Sequence, residues 1–234
     1  MLYKKSHHGL FRHRSTEILR IEALSDAVFG FSVSLLVASL EVPQTFDELK
    51  FIIKGALPFF ATVSMLFLFW YQQYVFFRHY GVEDTKTVVL NLCYLAIILF
   101  YVYPLKFLFS VLIDSLTGIN LFPKATEKGL LVIGQEDFPQ LIILFSVGYA
   151  AIWLLLYFMH KRVLHFSQKL ELNHYELLYT RREKRGALMN VAIGITALLF
   201  ALIGLEMFSG ITYLLIPVAL IINQQLFKRQ LKRQ

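Results

Sequence analysis

The chain reads as an all-α integral membrane protein with six transmembrane helices, and three observations predict this. Hydrophobic residues make up 57% of its 234 positions, with 22 phenylalanines among them, whereas soluble domains sit near about 45–50% apolar. A soluble fold of this size could not cover so much apolar surface. Six apolar runs reach bilayer length, which is about 20 residues for a core of roughly 30 Å. The basic residues lie between these runs in the pattern of topology signals.

The first run, 20–42, carries Arg20, Glu22 and Asp26 at one end and is apolar or small from Ala27 to Leu40. Charge inside a membrane-length segment is costly and marks a partner, a cavity or a pathway. The second run, 51–77, contains Lys54, and the third, 88–113, contains Lys106, which is expected to snorkel from the outer end of its helix. The fourth, 138–159, and the fifth and sixth, 187–205 and 207–227, contain no charge. A tight helical turn around Glu206–Gly210 is expected between the last two. Pro58, Pro104 and Pro217 fall inside spans and are expected to produce packing kinks. Residues 114–137, with Gly118, Pro123, Gly129 and Gly134, read as an outer loop. Residues 160–186 hold few helix breakers, so the fourth helix is expected to continue as a basic extension to about Tyr179. The whole of 1–234 forms one domain.

Orientation follows from Lys and Arg placement. Lys4, Lys5, Arg12, Arg14 and Arg20 precede or open the first span. Arg78 and Lys86 lie in the second connection, and Lys161, Arg162, Lys169, Arg181, Arg182, Lys184 and Arg185 in the fourth. Lys228, Arg229, Lys232 and Arg233 end the chain, so eighteen of the 23 basic residues fall on one side. Both termini are therefore expected in the cytoplasm. The net charge of +7 is explained by this distribution and does not point to nucleic acid. The stretch from Lys161 to Arg185 reads as a solvated basic face, with binding of anionic lipid headgroups as the alternative. The basic N-terminus with its membrane-length first run shows no small-residue cleavage site, so the run is read as retained. The lone Cys93 permits no intrachain disulfide. Seven histidines, His7, His8 and His13 among them, pair with no acid in an apolar run, so no metal site is expected. Enzyme signatures such as G-x-S-x-G, H-E-x-x-H or a Gly-rich phosphate loop are absent from the sequence, and no catalytic residue is assigned.

At 3.6 residues per turn, Phe31, Leu35, Ala38 and Val42 share one face of the first helix, with Ser34 beside it. Val33, Leu36, Val37 and Leu40 lie opposite. Ser25, Ser32, Ser34 and Ser39 permit close helix approach. A small-residue helix packed inside a bundle has the same pattern, so periodicity alone leaves both readings open.

The segment Arg20-Ile-Glu-Ala-Leu-Ser-Asp26 resembles the R-x-x-x-F-S-D signature that opens the first helix of the TMEM175 family of potassium channels. The following Ala27-Val-Phe-Gly-Phe-Ser-Val-Ser-Leu-Leu-Val is similar to that family's pore-lining helix. Trp70-Tyr-Gln-Gln73 resembles its W-x-x-H element, and Leu90-Asn91-Leu92 and Tyr103-Pro104 resemble its L-N and L-P elements. Leu24, Ser34, Ala38 and Gln73 depart from the family pattern; Gln73 removes an imidazole, and Ala38 widens one layer. The resemblance covers three helices and implies a single-repeat prokaryotic member, integral to a cell membrane. It implies a homotetramer in which the first helix of each subunit lines a K⁺ pathway. It also implies an apolar constriction at Phe31, Ser34, Leu35 and Ala38, with Leu35 narrowest. Arg20, Ser25, Asp26, Trp70, Gln73 and Asn91 would brace the helices, with Asp26 accepting from Trp70, Gln73 or Asn91. The rival reading makes Asp26 a cation attractor at the cytoplasmic mouth. K⁺ is the expected permeant ion, the lipid bilayer and further copies of the chain the expected partners, and no cofactor is implied. The alternatives are an ion-coupled secondary transporter and a non-conducting membrane scaffold. A transporter would show Gly/Pro-broken helices at corresponding places in two halves, and no such symmetry is visible in the sequence.

Overall fold

The computed structural model describes residues 11–12, 14, 17–40, 42–122, 131–134 and 137–232. Among these, the helices are α1 (Arg20–Ala38), α2 (Phe46–Lys54), α3 (Ala56–Tyr80), α4 (Thr85–Thr117), α5 (Asp137–His165), α6 (His174–Leu202), α7 (Glu206–Thr212) and α8 (Leu215–Lys232). Six stretches are long and apolar enough to cross a membrane, the sixth running from Met207 to Lys232 through α7 and α8. The all-helical, six-span class expected from the sequence is what the fold shows. Lys4, Lys5, Lys124, Lys128, Arg233, Pro123, Gly129, His7, His8 and His13 lie outside the described residues.

Prolines set two of the helix boundaries. Pro58 is the third residue of α3 and Pro217 the third of α8. Each lacks the N–H that would bond the carbonyl four residues back, at Lys54 and Tyr213, so the chain breaks just before it and starts a new helix. The expected second span is thereby divided into α2 and α3, and the sixth into α7 and α8. Neither proline is the mid-span kink its position suggested. Pro104, by contrast, stays inside α4, where one missing bond is tolerated in a long apolar helix. The two breaks fall in the second span of the first three and the third span of the last three. They do not occupy corresponding places in two halves, so they lend no support to a transporter built on repeats.

The cytoplasmic extension expected of the fourth span is shorter than predicted. α5 stops at His165, and Asn173 caps α6: its side chain accepts from Glu176 N (2.9 Å) while Glu176 Oε2 accepts from Asn173 N (2.9 Å). This reciprocal capping box starts a new helix. Arg181 to Arg185 therefore belong to α6. The turn between α6 and α7 uses Gly204 at φ +76°, a conformation that side chains with a Cβ rarely adopt.

α5 and α6 pack along most of their lengths, α7 and α8 lie on α6, and α1 lies on α3 and α4; the contact of α4 with α5 joins the two groups. Small residues permit this approach. A Cβ on Gly148 of α5 would lie 2.2 Å from the Tyr101 ring of α4, and one on Gly194 of α6 would lie 3.1 Å from Ala150 of α5. Ala187, Asn190, Gly194, Ala197 and Ala201 form the buried stripe of α6. The Tyr101 hydroxyl donates to the Phe145 carbonyl and the Tyr149 hydroxyl pairs with Asn190 (2.5 Å), so the buried phenols are satisfied.

The segment ahead of α1 is clamped at one end of the bundle. Phe11 stacks on His79 with ring centroids 4.1 Å apart and meets Tyr80 and Tyr179 edge-on. Arg14 Nη2 lies 2.6 Å from Oε2 of the fully buried Glu176, and the Arg12 backbone N–H donates to Glu176 Oε1 (2.8 Å). At the same end Asp84 caps α4, accepting from Lys86 N (3.2 Å), and pairs with Arg162. The connection before α4, the α5–α6 turn and the N-terminal segment are thus held together at one end of the bundle.

Candidate functional site: the two faces of the first helix

α1 opens with Glu22 Oε2 accepting from Leu19 N (3.0 Å), which satisfies one of the donors a helix start leaves free. The helix then divides lengthwise. Ile21, Glu22, Ser25, Phe29, Ser32 and Leu36 are buried against α3 and α4. Ala23, Ala27, Gly30, Phe31, Ser34 and Ala38 are exposed among the described residues. Both sets recur every three to four residues, which is the spacing of one helical face.

The buried face is pinned by a polar node. Ser25 Oγ donates to the Ile21 carbonyl (2.7 Å) and accepts from Gln73 Nε2 of α3 (2.5 Å) and Asn91 Nδ2 of α4 (3.1 Å). Gln73 Nε2 also donates to Asn91 Oδ1 (3.2 Å). All three side chains are buried. One helical step away, Trp70 Nε1 donates to Asp26 Oδ1 (2.8 Å). Of the three donors expected at Asp26, only Trp70 reaches it; Gln73 and Asn91 converge on Ser25 instead. The reason is rotational: Ser25 faces inward with 0% exposure, while Asp26, 100° further round, lies at the exposed rim. Arg20 stands exposed at the first turn. The cation that meets the α1 carboxylates is instead Arg78, whose Nε lies 3.4 Å from Oε1 of the buried Glu22.

The far end of α1 is tied as well. Lys106 Nζ of α4 donates to Ser39 Oγ (2.5 Å), and Ser39 Oγ donates to the Leu36 carbonyl (2.6 Å). No basic residue occupies the last turn of α1, so Lys106 brings a positive charge to the carbonyl end of the helix dipole. This corrects the expectation that Lys106 simply snorkels to solvent. Glu22–Arg78 and Lys106–Ser39 were not assigned from sequence. A signal existed, since Glu22 and Lys106 are charges inside membrane-length runs, but the partner of each lies on another helix.

On the uncovered face, Phe31 is 57% exposed, Ser34 and Ala38 are exposed, and Leu35 is half-buried at the edge of the face. Val42 lies past the end of the helix and no longer shares this face, as α1 stops at Ala38. Ser34 Oγ donates to the Gly30 carbonyl (3.0 Å). Its one hydrogen is thus used within the helix, and the oxygen offers acceptor lone pairs outward. The face is otherwise apolar.

A family model described as "Endosomal/lysosomal potassium channel TMEM175" matches residues 20–101. A protein of Marivirga tractuosa named "Potassium channel" is 31% identical over 221 residues, spanning 92% of this chain and 90% of that protein. The crystal structure of a variant of the potassium channel MtTMEM175, bound to a nanobody–MBP fusion, superposes with a TM-score of 0.81 at 30% identity, covering 94% of this chain and 97% of that one. A homologue, from Chamaesiphon minutus, of the lysosomal potassium-selective channel TMEM175 shares the fold at a TM-score of 0.54 and 17% identity, over 87% and 96% of the two chains. With this extent of identity across nearly the whole chain, and with the signature residues of α1, α3 and α4 joined in one hydrogen-bonded node, the chain belongs to the TMEM175 family.

Proposed function

We propose that the chain is the subunit of a homotetrameric, potassium-preferring channel that conducts K⁺ passively down its gradient. It moves an ion rather than catalysing a reaction, and K⁺ as permeant ion is the only small species it needs. The observation that carries this reading is the division of α1: its inner face is pinned to α3 and α4 through Ser25, Gln73 and Asn91, while its opposite face stays exposed among the described residues. One helix cannot enclose a pathway, so the uncovered faces of several copies would have to meet around an axis. Closed cyclic symmetry achieves this with identical contacts. The relatives named as potassium channels support the ion.

In this arrangement Phe31, Leu35 and Ala38 form successive rings and Ser34 lies between them. A narrow apolar ring gates by dewetting or by forcing partial dehydration. K⁺ holds its water less tightly than Na⁺, so it crosses such a ring at lower cost. The outward lone pairs of Ser34 would return part of the lost coordination. Leu35 forms the narrowest ring, and Ala38 leaves a wider layer beyond it. Trp70, Asp26 and the Ser25 node brace the subunit and do not touch the ion. Both termini face the cytoplasm of a prokaryotic cell.

The test is flux through proteoliposomes of the purified chain. Electrogenic K⁺ flux that needs no counter-substrate supports the proposal. Saturating flux that requires exchange would favour a transporter, and the absence of flux from correctly assembled oligomers a scaffold.

A further inference from the structure

We infer that a groove between the start of α4 and the end of α5 is a binding site for an anionic phospholipid. The groove has a volume of about 570 Å³, within the range of small-molecule sites. Its wall is Val89 and Leu90 of α4 and Phe158 of α5, and its rim is Lys86, Lys161 and His165. On both helices the order is the same. The apolar residues lie about one turn into the span, and the basic residues lie nearer the helix end: Lys86 stands four positions from Leu90, and Lys161 three from Phe158. This is the order of a phospholipid, with acyl chain below phosphate.

Val89 is 51% exposed and Phe158 38% exposed, so the wall is open among the described residues. Arg162, which also lines the groove, is engaged by Asp84 and stacks over Phe166 at 5.1 Å. It therefore fixes the shape of the rim and contributes little free charge. Asp84 is correspondingly occupied by Arg162 and Thr87, and Glu83 is exposed on the adjoining connection. Lys86 and Lys161 are both exposed, and Lys161 Nζ lies 6.0 Å from the Phe158 ring centroid, at the boundary between wall and rim. They are the cations available to a phosphate. A free phosphate would use the rim and leave the wall wet. A phospholipid uses both, and the groove lies at the Thr85 end of one membrane-length helix and the His165 end of another.

The test is native mass spectrometry of the full chain in detergent, titrated with dioleoyl phosphatidylglycerol or dioleoyl phosphatidylcholine. Phosphatidylglycerol is expected to be retained in clear preference, and K86Q/K161Q to weaken it by about 30-fold, from two basic residues at an anionic surface. K228Q/K232Q on α8 should leave it unchanged. Phe158→Ala should weaken phosphatidylglycerol through the wall. Equal retention of the two lipids, or K86Q/K161Q binding as tightly as the unaltered chain, overturns the assignment. So does displacement by glycerol 3-phosphate at the same concentration as the lipid, which would make the rim a site for free phosphate. Failure of the unaltered chain to retain phosphatidylglycerol, as when a second copy fills the groove, also overturns it. The readout is binding and not conduction, so its failure is separate from failure of the channel reading.

Discussion

Ser25→Ala isolates the node that holds α1 to its neighbours. The substitution removes one hydroxyl from a buried cluster and leaves the shape almost unchanged. The hydrogen bond from Ser25 to the Ile21 carbonyl is a helical back-bond, and its loss costs little because a helix carbonyl has another donor. Gln73 Nε2 loses Ser25 Oγ at 2.5 Å and keeps Asn91 Oδ1 at 3.2 Å. Asn91 Nδ2 loses Ser25 Oγ, a buried acceptor at 3.1 Å. Two buried N–H groups, one on each amide, are thus stranded, at a cost of about 1–3 kcal/mol each in general. Interhelical hydrogen bonds in membranes have been worth less, about 0.6 kcal/mol on average and up to about 1.7. A loss of about 1–2 kcal/mol is expected, or roughly 5- to 30-fold in the folded-to-unfolded ratio. The assay is equilibrium unfolding of the detergent-solubilised chain for Ser25→Ala, Asn91→Ala and the double variant. With all three built in a Gln73→Leu background, so that the amide donating to both residues is absent, the double variant should recover about 1 kcal/mol relative to the sum of the two, because removing both partners strands neither. Strict additivity, within about 0.3–0.5 kcal/mol, would refute the node.

Three further outcomes are expected. Leu35→Ala should raise conductance and blunt the preference for K⁺ over Na⁺ in single-channel recordings; unchanged permeation would remove Leu35 from the constriction. Gly148→Ala should destabilise the chain by about 1–3 kcal/mol in the same unfolding assay, since the new methyl would meet a Tyr101 ring that is 2% exposed and tethered through its hydroxyl. Asp84 gives stability an acid limit. Its desolvation raises the carboxyl pKa, but hydrogen bonds from Thr87 and Arg162 outweigh this and hold it below the ordinary Asp value. With the folded pKa depressed, the stabilisation is fully present above the unfolded value of about 3.9 and is lost as pH falls through the folded one. Thermal unfolding from pH 6 to pH 3 should show this loss, and Asp84→Asn should flatten that part of the profile.

Hydrophobic run length and the placement of Lys and Arg were enough to give six spans, because the bilayer constrains both directly. They were not enough to give helix ends. Pro58 and Pro217 could each kink a continuous helix or start a new one, and that choice depends on whether neighbouring segments accept the change of direction. The capping box at Asn173 and Glu176 was readable in principle, but a charged amphipathic continuation of α5 fitted the same residues.

The candidate site divides in the same way. The sequence alone determined which residues share a face of α1 and which signature residues lie on the first three spans, because a helix imposes its period on the chain that forms it. Only the tertiary structure decided the partners. A rotation of 100° separates Ser25 from Asp26, and it sends Gln73 and Asn91 to the buried hydroxyl and leaves Trp70 to the carboxylate. It also brought Arg78 to Glu22, Lys106 to Ser39 and Arg14 to Glu176. Periodicity specifies where a side chain points, but what it meets is set by how the helices pack, and that depends on close approaches such as Gly148 against Tyr101 that no single segment encodes.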